Sequence, residues 1–119
     1  MKTLNATDVF AGRARQALKD RPIIVKRMFG GLTFMLAGNM LCCISEKGLM
    51  VRVGAAAEAK ALARPHVAPC LGAGRRMAGF GMVAPRGFAT DRSLESWLNA
   101  ALAYVEKLPS KKPKPVRRR

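Results

Sequence analysis

The chain has 119 residues, and its 22 Lys and Arg against seven Asp and Glu give a formal net charge of +15 at pH 7. That length fits one domain and excludes two full-sized ones. Half of the residues are hydrophobic, which is enough for a core and excludes disorder of the whole chain. Composition therefore indicates a small, basic globular domain and identifies no reaction.

Residues 8–20 are predicted to form the first helix. Their apolar residues recur at helical spacing: Phe10, Ala14, Ala17 and Leu18. Thr7 or Asp8 is expected to cap the N-terminus of this helix, because a side-chain oxygen there can accept a hydrogen bond from a free backbone N–H. Pro22 is expected to stop it, since a proline disfavours helical backbone in the preceding residue.

Residues 23–53 predict four short antiparallel strands separated by glycine-containing turns. The strands are expected at 23–28, 32–37, 40–45 and 49–53. Gly38-Asn39 is predicted to form a two-residue hairpin turn, which needs positive φ. Because side chains alternate along a strand, Leu32, Phe34 and Leu36 share one face of this sheet.

The second half of the chain predicts a helix at 55–63, a mostly irregular stretch at 64–79 with a short edge segment at 67–71, and a strand at 80–84. Apolar residues at helical spacing between Leu94 and Leu108 predict the last helix, with Asp91 as its cap. The predicted fold is therefore α+β. An antiparallel sheet of about five to six strands carries helices on one face, in the order α-β4-α-β-α, in one domain over residues 1–108.

Alternation also leaves methionines on the sheet face opposite to the predicted core. Met35, Met50 and Arg52 belong to this second face. If the helices cover only one side of the sheet, apolar residues on the other side indicate a surface for a protein partner, a second copy of the chain included.

The last eleven residues, 109–119, predict a flexible basic tail. They contain three prolines, no acidic residue and six basic residues: Lys111, Lys112, Lys114, Arg117, Arg118 and Arg119. Such a tail attracts polyanions without sequence specificity, so it predicts either non-specific nucleic-acid binding or a merely solubilising segment. Arg75 and Arg76, on a glycine-rich stretch, are further candidates for phosphate contacts.

The residue types that carry catalysis or bind metals are few and poorly spaced. Cys42 and Cys43 are adjacent, so on a strand they point to opposite faces, and His66 is four residues from Cys70 in a proline-bracketed stretch. A closed zinc site needs four ligands in tetrahedral arrangement. We therefore expect no metal, no cofactor and no catalytic site, and a non-enzymatic protein.

The beginning of the chain and its hydropathy bear on localisation. Residues 1–22 contain charged and polar residues throughout and lack the apolar region of a signal peptide. No stretch approaches the roughly 20 apolar residues that a transmembrane helix needs. We expect a cytoplasmic protein that does not engage a membrane.

Residues 26–54, KRMFGGLTFMLAGNMLCCISEKGLMVRVG, resemble the signature of the N-terminal domain of the TfoX/Sxy family. The matching parts are an R-M-F-G-G start, a G-N-M hairpin and an L-M-V-R-V-G strand, and the resemblance extends over about residues 8–108, including the helix that bears Trp97. It implies an α+β fold of the secretion-chaperone-like group and a regulatory interaction module in the transcriptional control of competence. It implies no catalytic residues.

Overall fold

The structure is a computed structural model that describes residues 6–28, 30–72 and 74–110. The predicted basic tail spans residues 109–119, and its six basic residues, from Lys111 to Arg119, lie outside these ranges. In chain order the elements are α1 (Ala6–Ala17), β1 (Ile23–Met28), β2 (Gly31–Leu36), β3 (Asn39–Ser45), β4 (Gly48–Arg52), α2 (Ala55–Leu62), β5 (Val67–Gly72), β6 (Arg75–Val83), a 3-10 turn (Pro85–Phe88) and α3 (Asp91–Val105).

The six strands form one open antiparallel sheet in the order β1-β2-β3-β4-β6-β5. The first four strands follow one another as a meander. After β4 the chain crosses through α2, and β6 then pairs with β4 while β5 becomes the far edge. The prediction of an α+β fold with an antiparallel sheet of five to six strands is confirmed.

A single hydrophobic core lies between one face of the sheet and the three helices. Trp97 of α3, Ala14 of α1 and Ala61 of α2 belong to the same cluster as Phe34 and Val51 of the sheet. Burying a large apolar side chain stabilises a fold by roughly 1.5–3 kcal/mol, so this cluster holds the helices against that face. The helix layer therefore covers one face of the sheet, as predicted.

The turn between β2 and β3 lies one residue earlier than predicted. Its central residues are Ala37 and Gly38, with φ of 52° and 82°, which is the pattern of a type I′ turn. Asn39 is instead the first residue of β3, and its Nδ2 donates to the carbonyl oxygen of Pro109 at 3.0 Å. Pro109, which follows α3, therefore supplies the hydrogen-bond partner of the Asn39 side-chain amide.

The short edge segment predicted at 67–71 is confirmed as β5, but the expectation that the rest of residues 64–79 is mostly irregular is wrong, because β6 begins at Arg75 and forms a hairpin with β5. The register of this hairpin shifts between Pro69 and Leu71. A bulge on an edge strand tolerates a proline, which has no N–H to donate. Gly79 has a φ of 86° and continues β6 through a backbone kink that β-branched residues would resist.

Both predicted helix caps differ from the structure. Helix α1 begins at Ala6, so Thr7 and Asp8 lie inside its first turn. Thr90 caps α3: its Oγ1 accepts the Ser93 N–H at 3.1 Å, and the Ser93 Oγ accepts the Thr90 N–H at 3.2 Å. Asp91 is the first helical residue and binds the Arg13 Nε at 3.3 Å, which is the contact that its carboxylate makes in place of a cap.

Candidate partner-binding surface

One row of side chains crosses all six strands on the face opposite to the helices. Strand register places its members side by side: Lys26, Thr33, Cys43, Met50, Met82 and Ala68. Directly paired residues of antiparallel strands point to the same side of a sheet, so the row forms one continuous strip. Thr33 and Cys43 are buried within it, whereas Met50 and Met82 are half-buried.

Four methionines dominate this surface, which we call the methionine face and define by Met35, Met40, Met50 and Met82. All four are half-buried, and none of them belongs to the helix-side core or packs against it. A methionine side chain is unbranched and polarizable, so it adapts to partners of different shape. The placement of Met35 and Met50 on the face that the helices leave uncovered agrees with the alternation in the sequence.

Arg52 is held at one end of the methionine face by aromatic rings. Its guanidinium carbon lies 5.9 Å from the ring centre of Phe80 and 5.6 Å from that of Tyr104, and Nη1 donates to the carbonyl oxygen of Met40 at 3.4 Å. A cation over an aromatic ring is attracted by its negative face. Arg52 therefore places a guanidinium group beside the methionines, and it takes part in none of the ion pairs found in the part of the chain that the structure describes.

The sheet carries charge of one sign only. Its six strands contain Lys26, Arg27, Arg52, Arg75 and Arg76 and no Asp or Glu. The acidic residues in the described ranges lie on the helices and in turns. Of these five basic residues, Lys26 and Arg52 lie on the same side of the sheet as the four methionines.

Arg75 and Arg76, the predicted phosphate contacts, differ in their surroundings. Arg75 is exposed at the start of β6. The Nη2 and Nε atoms of Arg76 donate to one carboxylate oxygen of Glu58 at 2.7 and 3.0 Å, while the other oxygen accepts the Gly79 N–H at 2.9 Å. The Gly79 hydrogen bond, followed by Arg76, lowers the pKa of Glu58 against the opposing effect of burial. Arg76 therefore fixes α2 to β6, whereas Arg75 takes part in none of the ion pairs among the described residues.

The three cysteines are buried and lie in apolar surroundings. Burial raises the pKa of Cys42, and the Cys43 thiol donates to the carbonyl oxygen of Met28 at 3.7 Å. The Cys70 sulfur lies 3.9 Å from the Met77 sulfur. Burial raises the pKa of Cys70, and the charge interaction with Cys43 raises it further. A thiolate is the reactive form, so the raised pKa values lower the nucleophilicity of Cys42 and Cys70.

Two further features of the described residues bear on the site. Within residues 6–28, 30–72 and 74–110, no group of three or more His, Cys, Asp and Glu side chains is arranged to hold a metal ion. His66 is exposed, and Cys70 is buried. Among the same residues no helix is both long and apolar enough to cross a membrane.

Met40, Met82 and Phe80 belong to the same surface and are not among the residues that the sequence predicts for it. Phe80 and Met82 both lie in the strand predicted at 80–84, but only the pairing of β6 with β4 places them beside Arg52 and Met50. Met40 pairs with Met35 across a register shift in the β2–β3 hairpin. Leu41 is the additional residue of that bulge, and a period of two does not hold through it.

Comparison with known proteins gives one match. The family model of the TfoX N-terminal domain matches residues 16–105, which is about three quarters of the chain and runs from α1 to the last residue of α3. No curated protein and no solved structure matches the chain significantly.

Proposed function

The chain belongs to the TfoX N-terminal domain family, and from this premise we propose that it is a non-enzymatic interaction module that binds a protein partner through the methionine face. We further propose that it acts in the cytoplasm in the transcriptional regulation of competence. The observation that supports binding is the group of half-buried methionines on the sheet face opposite to the three helices that the structure describes. Apolar side chains that stay partly accessible side by side on one surface are typical of protein interaction sites.

The test is a charge placed in the middle of that face. Met50→Glu lies at the centre of the six-strand row, and Gln16→Glu, on the exposed side of α1, is the matched control. We expect both variants to fold, as judged by circular dichroism and thermal unfolding. In cells that lack the native protein, wild type and Gln16→Glu should restore transcription of the competence genes, whereas Met50→Glu should not.

Capture from native lysate, with and without nuclease, identifies what the face binds. A protein that is retained by wild type after nuclease treatment, lost with Met50→Glu and kept with Gln16→Glu agrees with the proposal. Equal capture and equal transcription with both variants would refute it.

Our proposal includes a second copy of the chain as the partner, which would make the protein a homodimer. If two copies stacked their methionine faces on each other, both faces would be removed from water, which favours the dimer. Repulsion between the Lys26 and Arg52 charges of the two copies would oppose it. Light scattering on a size-exclusion column at high micromolar concentration decides between the forms. A mass equal to the 12.9 kDa of one chain would exclude the homodimer.

Non-specific nucleic-acid binding is the second candidate function. It is favoured by the charge distribution, since the strands hold five basic residues without an acid and residues 111–119 add six more. Deletion of residues 109–119 should abolish binding to a random DNA duplex, and binding by the full chain should weaken steeply with salt. Unchanged affinity after the deletion would contradict this candidate.

A further inference from the structure

An apolar groove runs between α2 and α3 in the helix layer, on the opposite side of the sheet from the methionine face. Its volume is about 460 Å³, which lies within the roughly 300–1,000 Å³ of small-molecule sites. The apolar residues that line it come from both helices and from the residue after β4: Val53, Ala57, Ala61, Trp97, Ala100 and Ala103. Short alanine side chains leave the space open between the two helices.

The charges at the border of this groove are all positive. Lys60 is exposed, and Arg64 is half-buried with its guanidinium carbon 3.6 Å from the ring centre of Trp97. None of the residues that line the groove is acidic, and neither Lys60 nor Arg64 takes part in the ion pairs of the described residues. The stacking on Trp97 fixes the guanidinium while leaving its N–H donors for an anion.

A larger groove differs in charge. It lies between α1 and α3, has a volume of about 670 Å³ and is lined by three acidic and two basic side chains: Asp8, Asp91, Glu95, Arg13 and Lys19. Arg13 and Asp91 are already paired with each other across it. Mixed charge gives no preference for a ligand of one sign, whereas the α2–α3 groove combines an apolar lining with unpaired cations.

We propose that the α2–α3 groove binds a free anionic amphiphile, a small molecule with an apolar body and a carboxylate or sulfonate head. The apolar body lies between the alanines of the two helices, where it removes apolar surface from water. The head group binds the Arg64 guanidinium and the Lys60 ammonium, because hydrogen bonds between charged groups are stronger than those between neutral ones. The groove shares no residue with the methionine face, so a failure of the proposed function would not affect this proposal.

Trp97 makes the groove directly observable, since it is the only tryptophan of the chain. The probe is decanoate below its micellar concentration, compared with decanol and with decyltrimethylammonium, which carry the same apolar body with a neutral and a cationic head. We expect decanoate to change the Trp97 emission saturably and to bind at least about tenfold more tightly than either comparison compound.

Calorimetry on variants locates the site without depending on the Trp97 emission. Arg64→Gln and Lys60→Gln should each weaken decanoate binding, Arg64→Gln by about tenfold. Ala57→Phe should fill the groove from the exposed side of α2 and abolish binding. Arg92→Gln, an exposed arginine that does not line the groove, is the matched control and should bind as wild type does.

Three results would overturn the proposal. The first is equal binding of decanoate, decanol and the cationic compound, which would show that charge plays no part. The second is wild-type affinity in Arg64→Gln and Ala57→Phe. The third is binding to vesicles of anionic lipid, or to an acidic amphipathic peptide, in the absence of any binding of free decanoate, which would assign the groove to a membrane surface or a protein.

Discussion

Replacing Ala37 with Asn should stabilise the protein through the turn between β2 and β3. Ala37 has a φ of 52° and Gly38 a φ of 82°, so both central residues of this type I′ turn have left-handed backbone. An L-residue with a Cβ pays roughly 1–2 kcal/mol for that conformation, whereas Asn adopts it more readily and Asn-Gly is a preferred type I′ pair. Ala37 is exposed, so the new side chain meets no packed neighbour.

The expected gain is about 1 kcal/mol in the free energy of unfolding, because Asn removes part of the backbone strain. For a domain of this size, that gain raises the midpoint of thermal unfolding by about 4–8 °C. Scanning calorimetry gives the midpoint, and urea titration gives the free energy and shows whether the slope with urea is unchanged.

Ala89→Asn is the matched control for this prediction. Ala89 is also exposed, but its φ of −65° and ψ of −34° are those of right-handed helical backbone. We expect its substitution to change stability by less than about 0.5 kcal/mol. If Ala37→Asn leaves the midpoint unchanged or lowers it, while Ala89→Asn behaves as expected, the strain argument for the turn is wrong.

Three further predictions concern Glu58, Gly48 and the thiols. The folded-state pKa of Glu58 lies below its ordinary value of 4.5, so its ionised form stabilises the folded protein fully above that pH, and this contribution is lost as the pH falls through the lower folded-state value. The free energy of unfolding, measured by urea titration, should therefore fall more steeply between about pH 6 and about pH 3 in wild type than in Glu58→Gln. Gly48→Ala should cost at least about 2 kcal/mol by urea unfolding, since Gly48 has a φ of 135° and a Cβ there would collide with the Val83 carbonyl oxygen; Gly12→Ala, in a helix with open space around it, should be neutral or stabilising. Ellman's reagent at pH 8 should react slowly with the folded protein and with three thiols per chain in urea, because all three cysteines are buried; fast reaction of even one thiol in the folded protein would contradict that environment.

The parts of the fold that the sequence predicts are those in which local pattern and tertiary structure agree. Strands β1 to β4 follow from alternating apolar residues between glycines, and α3 follows from a long helical period around Trp97. The β5–β6 hairpin could not be found in this way. Its two strands contain Pro69 and three glycines, and its register shifts beside that proline, so the alternating signal is lost although the backbone pairing remains.

The candidate site was predictable in part for the same reason. Alternation places Met35 and Met50 on the second face, because β2 and β4 are regular where these residues lie. The pairing of Glu58 with Arg76 joins residues 18 positions apart, and the cation over Trp97 comes from Arg64 across two helices. Such contacts depend on how α2 packs against β6 and α3, which no spacing along the chain encodes.

The packing of α2 also determines whether binding at one proposed site changes the affinity at the other. Glu58 fixes α2 to β6 through Gly79 and Arg76, and β6 carries Met82 on the methionine face, so the groove and that face are attached to one rigid unit. Coupling between sites requires an element with two arrangements that each ligand favours differently, and hydrogen bonds to a buried carboxylate oppose a second arrangement. We therefore expect decanoate to change the affinity for the partner by less than about twofold. We also expect the effects of Lys60→Gln and Met50→Glu on the free energy of unfolding to be additive. Calorimetric titration of the partner in the presence and absence of saturating decanoate measures this, and a change of about tenfold would show that α2 moves relative to the sheet.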